Sequence, residues 1–224
     1  MNKGYLTLVL HAHLPYVRHP EFEEFMEERW LFEAMTETYI PLLRSFESLE
    51  NDGIPFRITM SITPPLMEML EAKDLQEKYI RHLEKLIELS KKEVERTRSE
   101  HPTKHKMARY YLKDFEETLV YFRDRVQSRL LEGFKHFQDN GFLEIITCNA
   151  THGFLPLMNR YPQAVKAQIR QGVKTYEKYL GRKPSGIWLA ECGYVKGVEK
   201  PLAEEGISFF FVDSHGLWYA ENPP

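Results

Sequence analysis

Two imidazoles separated by one residue, in His11-Ala12-His13, follow directly on a short apolar run. In an extended segment residues i and i+2 project to the same side, so both rings are expected to line one pocket. That spacing has two chemical uses: ligation of a metal ion, or neutral hydrogen bonding to substrate hydroxyls. The residues alone leave both open, beside the blander case of a histidine satisfied by a backbone carbonyl. A second locus is Trp188-Leu189-Ala190-Glu191-Cys192-Gly193-Tyr194, where a carboxylate emerges from an apolar run between an indole and a phenol. A glutamate held on so rigid an element suits a nucleophile or an acid/base whose distance to substrate matters. The flanking rings suit a sugar, whose apolar face packs on an aromatic while its hydroxyls take polar partners. Asn149, Thr151 and His152 follow another apolar run, and Asp213 and His215 follow the last. Each could be a turn former or helix cap, but four histidines and two carboxylates at equivalent places point to a pocket. Glu144 differs: an acid in mid-strand is expected to pair with Arg or Lys and to be structural.

Five runs must position these side chains, over residues 5–10, 56–61, 143–147, 187–190 and 208–212. Four are nearly continuous in apolar residues, the signature of parallel strands covered on both faces. Helical periodicity marks 30–50, closed by Asn51-Asp52-Gly53, then 75–94, 107–140 and 164–180. The third of these predicts one helix of roughly 45 Å at a rise of about 1.5 Å per residue. With His101-Pro102 as the break, 75–94 and 107–140 read as an antiparallel long-helix hairpin inserted over about 64–140, its aromatic stripe forming helix-to-helix core. The fold class is therefore α/β, a parallel sheet or barrel whose chemistry gathers at the carboxyl ends of the strands. No linker, repeat or low-complexity tract marks a boundary, so a single domain over 1–224 is expected.

The chain has 224 residues, with 30 Lys plus Arg against 33 Asp plus Glu for a net charge of −3. That near-balance argues against a nucleic-acid binder, which gathers a basic excess on one face. With 42% hydrophobic and 13% aromatic residues there is material for a substantial core, which excludes disorder as a global description. Cys148 and Cys192 are the two cysteines, with no spacing of a disulfide framework or a zinc ribbon, and a reducing cytosol is the simplest home. The apolar run that ends at His11 is too short for a membrane span and lacks a secretory cleavage site. The mixed Glu, Lys and Arg of 84–98 suit a solvated helix face or a surface ion-pair network.

Three stretches together resemble a known family. His11-Ala12-His13-Leu14-Pro15, then Gly141-Phe142-Leu143-Glu144-Ile145 running on to Thr151-His152-Gly153, then Trp188-Leu189-Ala190-Glu191-Cys192 are similar to the first three signature regions of glycoside hydrolase family 57. The residues from Ala150 to Pro156, and Phe211-Val212-Asp213-Ser214-His215-Gly216, are most similar to its 1,4-α-glucan branching enzymes and to bacterial members called α-amylases. The resemblance implies a distorted (β/α)7 barrel and a retaining mechanism acting on α-1,4-glucan, with no cofactor and no metal. Residue by residue it implies Glu191 as nucleophile, His11, His13 and His152 as donor-subsite contacts, and, more loosely, Trp30 as an aromatic presented to glucan. Asp213, which from its place after the fifth run could be the acid, becomes a pocket or orienting residue. Leu14 stands where many members have Gln. The family's general acid is an Asp in a fourth signature, expected beyond residue 224. On that reading the chain is the N-terminal portion of the barrel, the remaining strands and any C-terminal helical domain lie outside it, and it is inactive alone.

Transfer to a glucan 6-hydroxyl gives branching, and transfer to water gives an α-amylase. A more distant alternative is a metal-dependent amidohydrolase or deacetylase, with His11 and His13 ligating the metal and Glu191 handling a water. A non-enzymatic glucan-binding module is the third. The expected partner is an α-1,4-glucan, with no nucleic acid and no membrane.

Overall fold

Every strand of the sheet runs parallel to its neighbours, and spatial order follows chain order: β1 (Val9–Ala12), β2 (Ile58–Ile62), β3 (Leu143–Cys148), β4 (Gly186–Trp188) and β5 (Phe209–Phe210). A doubly wound sheet reverses direction at a switch point, whereas unidirectional winding is the arrangement of a barrel wall. The computed structural model describes residues 4–99 and 101–221. Residues 1–3, 100 and 222–224, which fall within the expected 1–224 domain, lie outside the described residues. Register places His11 opposite Ser61, Ser61 opposite Ile146 and Cys148 opposite Trp188, so His11 stands level with a residue two places before Cys148. Apart from Glu144, every residue of β3 is buried, as a strand covered on both faces requires.

The first strand lies further along the chain than its apolar run. Tyr5 and Leu6, expected inside it, are 90% and 98% exposed, and pairing with β2 begins at Val9. His11 is therefore within the strand and not beyond it. Likewise β5 has two paired residues where five were expected, because only Phe209 and Phe210 align with β4.

The chain forms two compact units. One holds the sheet and comprises the residues up to Tyr16, Phe56–Glu68, and those from Lys135 onward; the other is helical and comprises Val17–Pro55 and Met69–Phe134. In the sheet unit, α8 (Pro162–Leu180) lays Val165, Ile169 and Val173 into a cluster with Ile187, Leu189, Val198 and Leu202. It stops at Gly181 in the left-handed conformation, an end that Gly adopts without steric cost. In the helical unit, α1 (Glu28–Ala34) passes through a π turn at Met35–Tyr39 into α2 (Ile40–Asn51). α4 (Lys73–Thr97) packs against α5 (Pro102–Val120), which opens on Pro102 at its first position. Glu28 and Lys78 form a buried ion pair of 2.7 Å, completed by the His19 backbone N–H to Glu28 and by Lys78 to the His19 carbonyl. A buried pair needs those extra bonds to offset its desolvation.

The single helix expected over 107–140 is two. After α5 come a π turn at Tyr121–Arg125 and a break in which Gln127 and Ser128 adopt positive φ, and then α6 (Leu130–Asp139). Apolar periodicity passes through the break because Phe122, Leu130 and Phe134 are all buried, although the backbone between them turns. The aromatic stripe is core at Phe122, where Tyr79 meets it edge-on at 4.8 Å, but Tyr111 is about half exposed. No helix among the described residues is long and apolar enough to cross a membrane.

Candidate active site

The carboxyl ends of β1, β3 and β4 bring three imidazoles and an indole into one stack. The His13 and His152 rings lie 3.7 Å apart at 17°, and the His11 and Trp188 rings 4.4 Å apart at 20°. His11 is 5.5 Å from His152 and 5.9 Å from His13. Each imidazole is anchored through Nδ1: His11 to Ser61 Oγ at 2.5 Å, His13 to Thr63 Oγ1 at 3.4 Å and His152 to Cys148 Sγ at 3.0 Å. The Nε2 atoms are thereby left for other partners. Nε2 of His152 is buried without a hydrogen bond and lies 3.7 Å from Oε1 of Glu191. The two side chains differ sharply in exposure, 7% for His152 against 78% for Glu191, so the carboxylate reaches outward from a buried base.

Backbone conformation makes that placement possible. Beyond β4 the chain enters a tight turn, Ala190–Cys192, with Glu191 at φ 54° and ψ 30°. His152 and Cys192 also have positive φ, at 55° and 53°. Residues with a Cβ avoid this region, and each costs on the order of 1 kcal/mol or more, strain that concentrates at functional sites. The loop carrying His152 is held from below. Asn149, fully buried, donates to the Gly153 carbonyl and to Gln168 Oε1, which also accepts from the Thr151 backbone N–H. Gln168 returns a bond from its amide to Thr151 Oγ1. Gly193 lets the turn after Glu191 pass Phe154, whose ring would collide with a Cβ there.

Burial lowers His11 and His13 to about 4 each, with the charge of His152 the next cause for both. Burial also lowers His152, while the adjacent Glu191 pulls it the other way. The stack is thus a set of neutral imidazoles near pH 7, able to donate or accept hydrogen bonds to hydroxyls. Burial pushes the Cys148 thiol up to about 12.

Of the residues singled out in the sequence, His11, His13, His152 and Glu191 come together, with Trp188 beside them. Asp213 precedes α10 (Ser214–Trp218) in extended conformation with no side-chain bond to the helix end, is exposed, and makes no hydrogen bond or ion pair with those four; burial, then the charge of Asp213, raises the Cys192 thiol. His215 is exposed on α10. Trp30 stands on α1 in the helical unit, 48% exposed. Glu144 accepts a hydrogen bond from Ser185, where an Arg or Lys partner was expected. Ser61, Thr63 and Cys148 were not marked as site residues by sequence. The signal for the first two was their i, i+2 spacing at the end of the second run, matching His11 and His13. Among the described residues no group of three or more His, Cys, Asp or Glu side chains is arranged to hold a metal ion.

The profile of glycosyl hydrolase family 57 matches residues 7–222. A 1,4-α-glucan branching enzyme of Thermococcus kodakarensis is 40% identical over 227 residues, covering 95% of this chain and 33% of that protein. Among solved structures, the α-amylase AmyC from Thermotoga maritima is 60% identical with a TM-score of 0.93, covering 97% of this chain and 41% of that one. The family 57 branching enzyme from Pyrococcus horikoshii is 38% identical with a TM-score of 0.88, covering 96% and 43%. The chain thus spans between a third and somewhat over two-fifths of the length of these relatives. With the profile running across nearly all of its residues and the sheet superposing on both structures, the chain belongs to glycosyl hydrolase family 57.

Proposed function

We propose that the protein containing this chain is a retaining α-glucan-active enzyme that forms a glycosyl-enzyme on Glu191 and transfers it to a glucan 6-hydroxyl. The observation that carries the reading is the placement of Glu191: held at positive φ just past β4, exposed, with its carboxylate 3.7 Å from His152 at the edge of a stack of neutral imidazoles. A carboxylate attacks the anomeric carbon while a second carboxyl group, about 5–5.5 Å away in retaining enzymes, gives its proton to the departing glycosidic oxygen. That group then takes the proton of the acceptor hydroxyl as the ester to Glu191 breaks. His11 and His13 donate to sugar hydroxyls, bonds that strengthen as oxocarbenium character develops, and His152 lines the same subsite. Trp188 and, more loosely, Trp30 offer rings to the glucan, and Asp213 is a pocket residue. Family membership favours this use of His11 and His13 over a metal-ligating one.

Hydrolysis is the second reading, carried by the 60% identity to a protein named α-amylase. Transfer to water and transfer to a 6-hydroxyl share every step up to the glycosyl-enzyme, and water exclusion with acceptor stacking separates them. In the full-length protein a mechanism-based glucosyl inactivator is expected to label Glu191, and Glu191→Gln to lose activity by about four to six orders of magnitude. Labelling of another carboxylate would sink the assignment. Iodine-stain shift with debranching analysis then tells branching from hydrolysis.

A further inference from the structure

Cys148 ends β3 and takes no part in the chemistry above, yet its sulfur lies 3.0 Å from Nδ1 of His152 and 2.9 Å from the Trp188 carbonyl oxygen. The side chain is fully buried and the thiol keeps its proton. Asn149 Oδ1 lies 3.5 Å from the same sulfur, and one S–H donates one bond, so the three contacts compete, the nearer two most directly. If it donates to Trp188, Nδ1 must carry the ring proton, and Nε2 then turns a lone pair towards the Glu191 carboxylate 3.7 Å away. That arrangement sets a lone pair against an anion in a partly dehydrated site. If it donates to His152, the proton sits on Nε2 and points at the carboxylate, which gives an otherwise unpartnered buried atom an acceptor. The second leaves the Trp188 carbonyl facing the sulfur without a donor, a contact between neutral groups, whereas the first sets a lone pair against a full negative charge, so electrostatics decides for the second. The Nδ1 atoms of His11 and His13 likewise meet side-chain donors, the hydroxyls of Ser61 and Thr63.

We propose that Cys148 is a positioning residue: its S–H fixes His152 as the Nε2–H tautomer, and that N–H orients the Glu191 carboxylate. The proposal rests on the reading of Glu191 as nucleophile. Cys148 suits the task because it is itself immovable. β3 pairs Cys148 with Trp188 on β4, and α8 crosses the Cys148 carbonyl so closely that only Gly172 fits there. The sulfur thus ties the His152 loop to a fixed point on β3, and the carboxylate inherits the rigidity of the sheet.

The test uses the full-length protein with 15N-labelled histidine. His152 is expected to show the Nε2–H pattern in the wild type and in Cys148→Ser, which retains a donor, and a mixed pattern in Cys148→Val, which has none. Cys148→Val is also expected to slow glycosyl-enzyme formation by about 10–100-fold, the range typical of outer-layer partners, with KM little changed and with Cys148→Ser recovering most of the rate. An Nδ1–H pattern in the wild type overturns the proposal even if Cys148→Val does not fold, and so does a folded Cys148→Val with wild-type rate. If the inactivator labels Glu191 while His152 is Nδ1–H, the role of Cys148 alone fails. If another carboxylate is labelled, the nucleophile reading fails and the orienting role falls with it.

Discussion

Three imidazole rings within 3.7 to 5.9 Å of one another can share a site only while they are uncharged, since protonating one raises the cost of protonating the next. Burial and mutual repulsion hold His11 and His13 near 4, well below the 6.5 of a free imidazole. As pH falls from 6.5 towards 4 the unfolded chain binds protons that the folded one refuses, so stability drops across that window and is fully present above it. Urea midpoints of the full-length protein at pH 7, 5.5 and 4.5 are expected to fall more steeply than those of the His11→Asn, His13→Asn double variant; parallel curves would show that the stack does not resist protonation. The principal groups of this site were legible in the sequence because their signal is chemical. Histidines at i and i+2 must share a side in a strand, and a lone Glu at the end of an apolar run is conspicuous. Ser61, Thr63 and Cys148 were not, since hydroxyls and thiols are common in strands and only the register shows which imidazole each one meets. Nor was the positive φ of His152 and Glu191 legible, because nothing in a residue with a Cβ advertises a conformation it normally avoids.

Helix α8 illustrates how an element serves the site by bracing the strand and loop that carry it. Gly172 brings its backbone against the Cys148 carbonyl, and Thr147 Oγ1 bonds to the Gly172 carbonyl from the strand side. An alanine there gains about 1 kcal/mol in helix propensity but drives a methyl group into backbone that cannot yield, and overpacking of that kind costs about 1–3 kcal/mol or more. Gly172→Ala is therefore expected to lower the urea midpoint and to reduce activity by loosening the His152 loop, whereas Lys174→Ala on the exposed face of the same helix changes neither. An unchanged midpoint for Gly172→Ala would mean that α8 does not brace β3. This helix was legible to within two residues, since Pro162 and Gly181 punctuate it and its apolar face is regular. The stretch 107–140 hides its break for the complementary reason. Its apolar spacing continues through a π turn and two left-handed residues, and with neither Pro nor Gly at the break, periodicity has no means of registering it.

At the scale of the molecule, the sheet unit presents two open edges among the described residues, β1 and β5. Both are flanked by apolar surface. Tyr5, Leu6 and Leu8 are exposed before β1, and Leu217, Trp218 and Tyr219 after β5. Unpaired strand edges beside apolar patches are association sites unless something covers them. The chain matches only 41% of the length of AmyC and 43% of the Pyrococcus enzyme, so in proteins of this architecture most of the residues lie elsewhere. A retaining mechanism needs a second carboxyl group near Glu191, and Asp213, the other site carboxylate named from the sequence, makes no hydrogen bond or ion pair with Glu191 or the histidines. We therefore expect the isolated 224-residue chain to bind a hydrophobic dye, to associate at micromolar concentration, and to show no turnover of α-glucan, while the full-length protein is active and monodisperse. Measured turnover by the isolated chain would place the acid within it. Asp213→Asn would then be the first variant to make, and its loss of activity would reassign Asp213 from pocket residue to general acid.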